Sequence, residues 1–439
     1  MNKVVAIAML AFLACGQVQI LISESVQAQA TQDREAEASR LLDLGIKARS
    51  ASKYQDAIQF DLKALAICRE LKDRECEGLA YSGLGLGYNY LGQYDKAIEF
   101  NLQRLSIARE IKDRSGEGTA LGNLGIAYNA IDKYGKAIEF NLQALAIMRE
   151  IKDRRGEGNV LGEMGSSYYS LNKYDKAIEY QLQSLAISRE IKDRRGEEIS
   201  LGNLGNAYYS LGEYDKASEF YLQDLAIARE LRDRRDEGNM LGNLGNVYYS
   251  LGRYAKAIDY HLQSLAIARE LKDRRNEGIS LRDLGSAYYY FAKYDKAVDY
   301  HLQSLAIVRE LKDRPHEGQA LENLGLAYYY LGKYDKAVEF NLQSLAIQKQ
   351  IGDRDGETAS LNRLDLSFSA LNQPELANLF RKQAINVTKS IREDIRRNTQ
   401  EEQKSLATVE STYRKLADLL LKQDRVLEAQ QVLDLLKVK

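Results

Sequence analysis

The sequence predicts an all-α solenoid, a superhelical stack of antiparallel helix pairs, and three observations carry this prediction. A forty-residue unit recurs almost unchanged, for example at 201–240 and 241–280. Within a unit, apolar residues follow steps of three and four, as at Leu201, Leu204 and Tyr208, which is the spacing of one helix face. The whole chain of 439 residues has only 2 prolines. Such units bury their apolar faces by stacking, so the repeat outweighs the several domains that length alone would suggest.

Each unit is predicted to contain two helices. In the unit just quoted, the first covers about Arg194–Leu211 and the second about Tyr214–Leu231. Asp193 can accept hydrogen bonds from the free amides at the start of the first helix. Gly212 can adopt the left-handed conformation that commonly ends a helix. A tight turn is therefore expected between the two helices.

The charge balance excludes some classes of partner. The chain has 62 Lys and Arg against 63 Asp and Glu, a formal net charge of −1. A protein that binds nucleic acid or an anionic membrane through electrostatics carries an excess of basic residues. We therefore expect no nucleic-acid partner.

The first thirty residues differ from the rest. Lys3 precedes an apolar run, Val4–Cys15, and Ala28 and Ala30 give the small-x-small form of an export cleavage site. Residues 1–30 are therefore predicted to be a signal peptide, and the protein to be exported to the periplasm or the extracellular space. If the segment stayed uncleaved it would act as a membrane anchor; no other membrane insertion is expected.

The cysteines are predicted to have structural roles. Cys15 lies in the signal segment and matches a lipidation motif poorly. Cys68 falls at the end of one predicted helix and Cys76 in the turn after it. We expect these two to be too far apart for a disulfide.

The repeat pattern resembles a known family. One unit has the spacing of the tetratricopeptide repeat at Leu201, Leu204, Gly205, Tyr208, Leu211, Gly212, Ala217 and Tyr221. The resemblance implies that Gly205 and Ala217 are the small residues at which the two helices of a unit cross. It covers most of the chain, and a glycine, a tyrosine and an alanine recur at this spacing in seven units.

The repeat register also predicts where the units begin and end. After the signal peptide, residues 31–76 form a degenerate first unit and residues 77–356 form seven full units. Residues 357–400 form a degenerate unit with an extended helix, and residues 401–439 an incomplete one. That last unit ends inside its second helix, so either weak order or self-association is expected at the C-terminal end.

The forty-residue length is similar to the repeats of Pins-type spindle adaptors and kinesin light chains. Together with the signal segment, the C-terminal sequence resembles the repeat region of bacterial CHAT-domain proteins. That resemblance implies a caspase-like domain with a His/Cys pair after the repeats. No such pair is recognised in these residues, so no protease activity carries over.

Catalytic, metal-binding and cofactor sites are not predicted. His261 and His301 occupy the same place in successive units, but a zinc site would need further ligands there. We expect both to be interior residues. The repeated arginine pairs, such as Arg154-Arg155, could face an anionic partner, but Glu157 and its equivalents lie close enough to neutralise them.

The first helices carry a recurring set of asparagines and tyrosines on one face. The resemblance implies that this face lines a groove in which an extended peptide segment of a partner binds. Asparagine can pair with a peptide backbone, and tyrosine adds rigid contact area. The predicted groove residues are Asn159, Tyr169, Asn203, Asn206, Tyr209, Asn239, Asn243, Asn246, Tyr249, Tyr289 and Tyr329.

Four glycines are predicted to lie on the groove side, at Gly122, Gly162, Gly202 and Gly242. Each costs about 1 kcal/mol of helix propensity relative to alanine. We interpret them as opening the groove to a partner.

These patterns together predict a non-enzymatic scaffold for protein–protein interaction, with a partner whose identity the sequence does not give. Two alternatives remain. The chain could be the regulatory arm of a caspase-like effector, or it could be a structural spacer.

Overall fold

The computed structural model of the protein describes residues 29–391. Nearly all of the predicted signal segment and the whole of the predicted unit 401–439 lie outside the described residues. The expectations of export and of C-terminal self-association therefore stay predictions. The described residues divide into two compact units, 29–240 and 241–391.

The described residues form eighteen helices and no strands. In the first unit these are α1 (29–50), α2 (Tyr54–Leu71), α3 (Arg74–Tyr90), α4 (Tyr94–Glu110), α5 (Arg114–Ala130), α6 (Tyr134–Glu150), α7 (Arg154–Ser170), α8 (Tyr174–Glu190), α9 (Arg194–Ser210), α10 (Tyr214–Leu231) and the start of α11 (Arg234–Ser250). The second unit completes α11 and contains α12 (Tyr254–Glu270), α13 (Arg274–Tyr290), α14 (Tyr294–Glu310), α15 (Arg314–Tyr330), α16 (Tyr334–Ile351), α17 (Arg354–Ala370) and α18 (374–391). None of the helices in residues 29–391 combines the length and the apolar character that crossing a bilayer requires.

The predicted helix boundaries are confirmed, because local chemistry fixes them. The Asp193 side chain accepts a hydrogen bond from the Gly196 amide and so caps α9. Gly212, with φ of +78°, ends it in the left-handed conformation. Aspartates cap the equivalent helices at Asp73, Asp113, Asp153, Asp273, Asp313 and Asp353.

Consecutive helices pack into antiparallel pairs around a narrow apolar core. Leu201 and Leu204 of α9 are fully buried with Leu225 and Ile227 of α10. Leu211, which belongs to the predicted repeat spacing, is exposed just after the end of α9. The prediction of an all-α solenoid of stacked helix pairs is confirmed.

Aromatic rings strengthen the crossing of each pair. Tyr208 stacks on Phe220 with ring centroids 5.3 Å apart. Lys216 lies over the same tyrosine ring, 5.1 Å from its centroid. Stacked rings contribute about 0.5–1.5 kcal/mol beyond the area they bury, and a cation over a ring adds a similar amount.

The first arginine of each repeated pair is neutralised within the protein, as the sequence indicated. Arg154 pairs with Glu157 of its own helix and with Glu190 at the end of the next helix. Arg155 is 68% exposed and lies 3.3 Å from Asp193. Equivalent pairs are formed by Arg114, Arg194 and Arg274. Exposed pairs of this kind contribute little to stability.

The expectation about the cysteines was wrong. Cys68 and Cys76 form a disulfide, with Cα atoms 5.5 Å apart. The turn between α2 and α3 is tight enough to bring the last turn of one helix beside the first turn of the next. Sequence spacing alone did not show this proximity.

Both end pairs keep the repeat geometry with altered chemistry. In the first, Asp61 is completely buried beside Gly45 and pairs with Arg49. In the last, Asp365 replaces the glycine and binds Arg381 through two hydrogen bonds of 2.8 Å. Each end pair therefore has an arginine–aspartate ion pair at the crossing, where the other pairs place an uncharged polar side chain against a glycine.

Candidate functional site

The candidate site is the first-helix face, defined here as the surface formed by the first helices of neighbouring pairs. In the first unit α7 contacts α9, and in the second unit α13 contacts α15 and α15 contacts α17. Asn203 and Asn206 are half-buried on this face in the first unit. Asn243 and Asn246 have the same exposure in the second unit.

A cavity of about 150 Å³ lies on this face in the first unit. Predicted groove residues Tyr169, Asn203 and Asn206 come together around it, and Gln181 of α8 also lines it. The amide of Gln181 donates a 2.9 Å hydrogen bond to the backbone carbonyl of Gly162. The cavity therefore offers amide groups beside an aromatic ring.

Gln181 belongs to a set of residues that the sequence analysis did not assign to the site. In each described pair except the last, one buried polar side chain of the second helix lies where a side chain of the first-helix glycine would project. We call these the floor residues. They are Asp61, Asn101, Asn141, Gln181, Tyr221, His261, His301 and Asn341, facing Gly45, Gly85, Gly125, Gly165, Gly205, Gly245, Gly285 and Gly325.

The floor residues explain why a glycine recurs where the two helices of a unit cross, at Gly205 and its equivalents. They do so more fully than the close approach of two backbones does. A Cβ at Gly85 would lie 2.6 Å from the Asn101 amide nitrogen, so no larger residue fits without displacing it. Asn123 on the first-helix face donates a 3.3 Å hydrogen bond to the Asn101 side chain. Floor and face therefore form one polar layer.

The tyrosines predicted for the groove pack in two ways. In the first unit, Tyr169 and Tyr209 each contact the first tyrosine of the following helix, with ring centroids 5.4 and 5.3 Å apart. In the second unit, Tyr290 contacts Tyr249 at 5.5 Å and stacks on Tyr254 at 5.6 Å. Because Tyr290 is 55% exposed, this aromatic array faces solvent.

The array continues to the next pair, where Tyr289 and Tyr330 have centroids 5.5 Å apart. Tyr329 and Tyr330 line a second, smaller cavity of about 30 Å³ with Asn341 and Arg363. Burial lowers the pKa of the Arg363 guanidinium to about 10. Arg363 also pairs with a neighbouring acid, Glu322.

Two predicted groove residues lie apart from this geometry. Asn159 and Asn239 are exposed, near the N-terminal ends of α7 and α11. Their exposure leaves them accessible, but neither lines the cavities described above.

The four glycines predicted to lie on the groove side differ in how much space surrounds them. A Cβ at Gly122 would meet Val160 at 3.8 Å, and one at Gly162 or Gly242 would meet a serine hydroxyl at 3.4 Å. These are ordinary contacts. At Gly202, by contrast, a Cβ would lie 2.7 Å from a carboxylate oxygen of Asp224. The interpretation of open space therefore needs correction at Gly202, where a side chain would displace the Asp224 carboxylate.

The two repeated histidines are interior residues, as predicted. His261 and His301 are 1% and 2% exposed, and burial lowers the pKa of each imidazole, that of His301 to about 4. Both therefore stay neutral near pH 7. They act as floor residues over Gly245 and Gly285.

One group of side chains could hold a cation. Glu198, Asp224 and Asp236 of the first unit place carboxylate oxygens within 4.8 Å of one another. No metal site was predicted from the sequence. The available signal was that three acids replace two glycines and a serine of the preceding unit, but their proximity depends on the packing of three helices.

The comparison with protein families decides the identity of the repeats. A tetratricopeptide-repeat profile matches residues 37–110, 76–150, 156–230, 236–310 and 293–350. The chain belongs to the tetratricopeptide repeat family. The comparison with curated proteins gave no match.

Solved structures share the fold of this tetratricopeptide-repeat protein at low sequence identity. The apo form of RapI has a TM-score of 0.62 and 14% identity, covering 81% of this chain and 98% of its own. The apo quorum sensor NprR from B. thuringiensis has a TM-score of 0.56 and 15% identity, covering 81% and 99%.

A third similar structure is a signal transduction ATPase with numerous domains and a tetratricopeptide-repeat sensor, from Pyrococcus horikoshii. Its TM-score is 0.60 and its identity 17%, over 78% of this chain. The match covers 53% of that protein, so this chain spans about half of its length. At these identities the three structures establish a common fold.

Proposed function

We propose that this tetratricopeptide-repeat protein is a non-enzymatic scaffold that binds an extended peptide segment of a protein partner on the first-helix face. The observation that carries the proposal is the cavity of about 150 Å³ lined by Tyr169, Gln181, Asn203 and Asn206. Three amides and a phenol there can bond a peptide backbone, which offers one donor and one acceptor per residue.

The chemistry of the face supports a peptide over a charged ligand in the first unit. The cavity is lined by neutral side chains. The Gln181 nitrogen already donates to Gly162, so its oxygen is left to accept, and the Asn206 oxygen already accepts from Tyr221, so its nitrogen is left to donate. The aromatic array of the second unit adds rigid surface whose ordering on binding costs little entropy. The scaffold role fits the repeat family and the RapI and NprR fold.

A selection experiment tests the proposal. A phage library of random peptides is panned against the purified protein, and the selected peptides are measured by calorimetry. Tyr169→Ala should weaken binding by about 2 kcal/mol, roughly thirtyfold, because an aromatic anchor beside a cavity dominates affinity. Asn203→Ala should also weaken binding.

The matched control is Gln143→Ala, which removes an amide from the exposed side of the second helix α6. It should leave affinity unchanged. Arg155→Glu tests the basic edge, since Arg155 is largely exposed. Loss of binding only in Arg155→Glu would move the site to that edge. Failure to select any peptide would favour the structural spacer.

We infer in addition that the protein works outside the reducing cytoplasm. The Cys68–Cys76 disulfide supports export, since disulfides persist mainly in oxidising compartments. Fractionation of the producing cells, with alkylation of free thiols before lysis, tests this. A cytoplasmic protein with both thiols alkylated would contradict it.

A further inference from the structure

Three acids depart from the repeat pattern at one place in the first unit. Glu198 stands where Gly158 stands one unit earlier, and Asp236 stands where Gly196 stands. Asp224 occupies the position of Ser184. The three belong to α9, α10 and α11, so chain proximity does not explain why they meet.

Two of the three carboxylates are buried in the first unit, and the third, that of Asp236, is half-buried beside them. Their oxygens are all within 4.8 Å of one another. Asp224 is 1% exposed and Glu198 is 3% exposed. Buried like charges at this separation repel one another, and water is not available to screen them.

Each of these side chains also keeps one oxygen that no hydrogen bond satisfies. The three oxygens, of Glu198, Asp224 and Asp236, are buried. An unpaired buried carboxylate is costly, and native structures satisfy nearly all such atoms. The free oxygens belong to the same cluster, so one ligand could satisfy all three.

The neighbouring charges do not balance the cluster. Arg195 pairs with Glu198 and with Asp233, so it supplies one positive charge among four carboxylates.

Serine occupies the position of Asp224 in four other pairs, where it is neutral, and Arg104 occupies it in α4. Ser184 donates a 2.9 Å hydrogen bond to the carbonyl of Gly158, and Ser304 donates a 3.0 Å bond to that of Gly278. The fold therefore does not need acids here. Their presence in one pair calls for a ligand that the other pairs do not bind.

We propose that Glu198, Asp224 and Asp236 bind a hard divalent cation of the Ca²⁺ class. Ca²⁺ takes oxygen ligands at about 2.3–2.6 Å, so opposite ligands lie about 4.6–5.2 Å apart. The observed oxygens fit inside such a shell. Gly202, whose Cβ would lie 2.7 Å from Asp224, leaves room for that carboxylate.

Cation binding to the full-length protein tests the site. The protein is stripped with EDTA, and CaCl₂, MgCl₂ and MnCl₂ are titrated separately by calorimetry and by thermal unfolding. We expect one cation per chain to bind and to raise the unfolding midpoint. At a free concentration one hundred times the Kd, the folded-to-unfolded ratio should rise about one-hundredfold.

The variant Asp224→Ser installs the residue of the neighbouring pair and so should fold. It should be more stable than the stripped wild type, because it removes a buried like charge, and it should not respond to cations. Asp175→Ser, at an exposed acid of α8, is the matched control and should respond as the wild type does.

Two results would overturn the proposal. The first is an equal cation response in Asp224→Ser and the wild type, which would move binding elsewhere. The second is a wild type that ignores all three cations but gains stability as pH falls. That result would mean that the carboxylates share protons and hold no metal.

Discussion

The hydroxyl of Tyr221 donates a 2.7 Å hydrogen bond to Oδ1 of Asn206, and its ring fills the space where a side chain at Gly205 would project. Tyr221 is 2% exposed and belongs to the second helix of its pair, whereas Asn206 lies on the first-helix face. A glycine in the first helix therefore lets a second-helix residue reach the candidate binding surface.

Replacement of Gly205 should reveal this dependence. Gly205→Ala would drive a methyl group into the Tyr221 ring, and overpacking of this kind costs about 1–3 kcal/mol. Gly122→Ala is the matched control, because its nearest neighbour would be 3.8 Å away. It should stabilise by up to about 1 kcal/mol through helix propensity. Urea unfolding followed by circular dichroism measures both, and equal effects would contradict the distinction.

The turn between α13 and α14 offers a stabilising change. Ala292 has φ of +57°, where an L-residue pays about 1–2 kcal/mol that glycine does not. Ala292→Gly should therefore stabilise by about 1 kcal/mol after the entropy cost of glycine in the unfolded chain. Gly252→Ala, at φ of +70°, is the reverse exchange and should destabilise. A gain from both substitutions would refute the conformational argument.

Stability should fall at acid pH through His301. Burial, aided by the Arg282 charge, lowers the pKa of this imidazole from 6.5 to about 4. Neutral His301 therefore contributes its full stability above pH 6.5, and the contribution disappears as pH falls toward 4. A pKa difference of about 2.5 corresponds to about 3 kcal/mol.

His301→Asn installs the floor residue found at Asn341 and cannot take up a proton there. Denaturant unfolding at pH 7.5 and pH 4 should show that the wild type loses about 3 kcal/mol more than the variant. Parallel loss in the two proteins would assign the acid sensitivity to other groups.

The disulfide should stabilise the first two helix pairs. Cys76→Ser breaks the bond but leaves the buried Cys68 in the core. Closing a loop of 8 residues contributes about 2 kcal/mol in the chain-entropy model, so the variant should unfold earlier by that amount. Adding reductant should bring the wild type down to the variant. A difference that persists in reductant would trace to the serine itself.

The sequence was sufficient for the helices and their pairing. Asp193 and Gly212 use local hydrogen bonds and a local backbone conformation, so their roles can be predicted from neighbouring residues alone. Leu201 and Leu204 follow helix periodicity, which requires no knowledge of the packed partner. Such features recur from unit to unit, so each unit gives further support to the helix boundaries predicted for the others.

The candidate site was only partly predictable. Tyr169, Asn203 and Asn206 were identified because they lie on one face of their helices. Gln181 was missed because it approaches that face from the second helix, through the space left by Gly165. The roles of floor residues depend on tertiary packing, which helix periodicity does not encode.

Contacts between residues of different helices account for the other differences between the predictions and the structure. Cys68 and Cys76 meet because of the angle at which two helices join, and Asp224 meets Glu198 because three helices pack. Both contacts depend on distances of a few ångströms. Residue types and their spacing in the sequence limit which residues are candidates for such a contact. They do not determine which of those residues are in contact in the folded protein.

The chemical type of the floor residue varies from pair to pair without a change in the fold. In the first eight described pairs the floor residue carries a carboxylate, an amide, a phenol or an imidazole, while a glycine faces it in every one of these pairs. One nucleotide substitution can exchange asparagine for histidine or for aspartate. During evolution the chemistry of the first-helix face could therefore change one pair at a time while the backbone is kept. A protein engineer could vary the same eight positions to alter binding specificity.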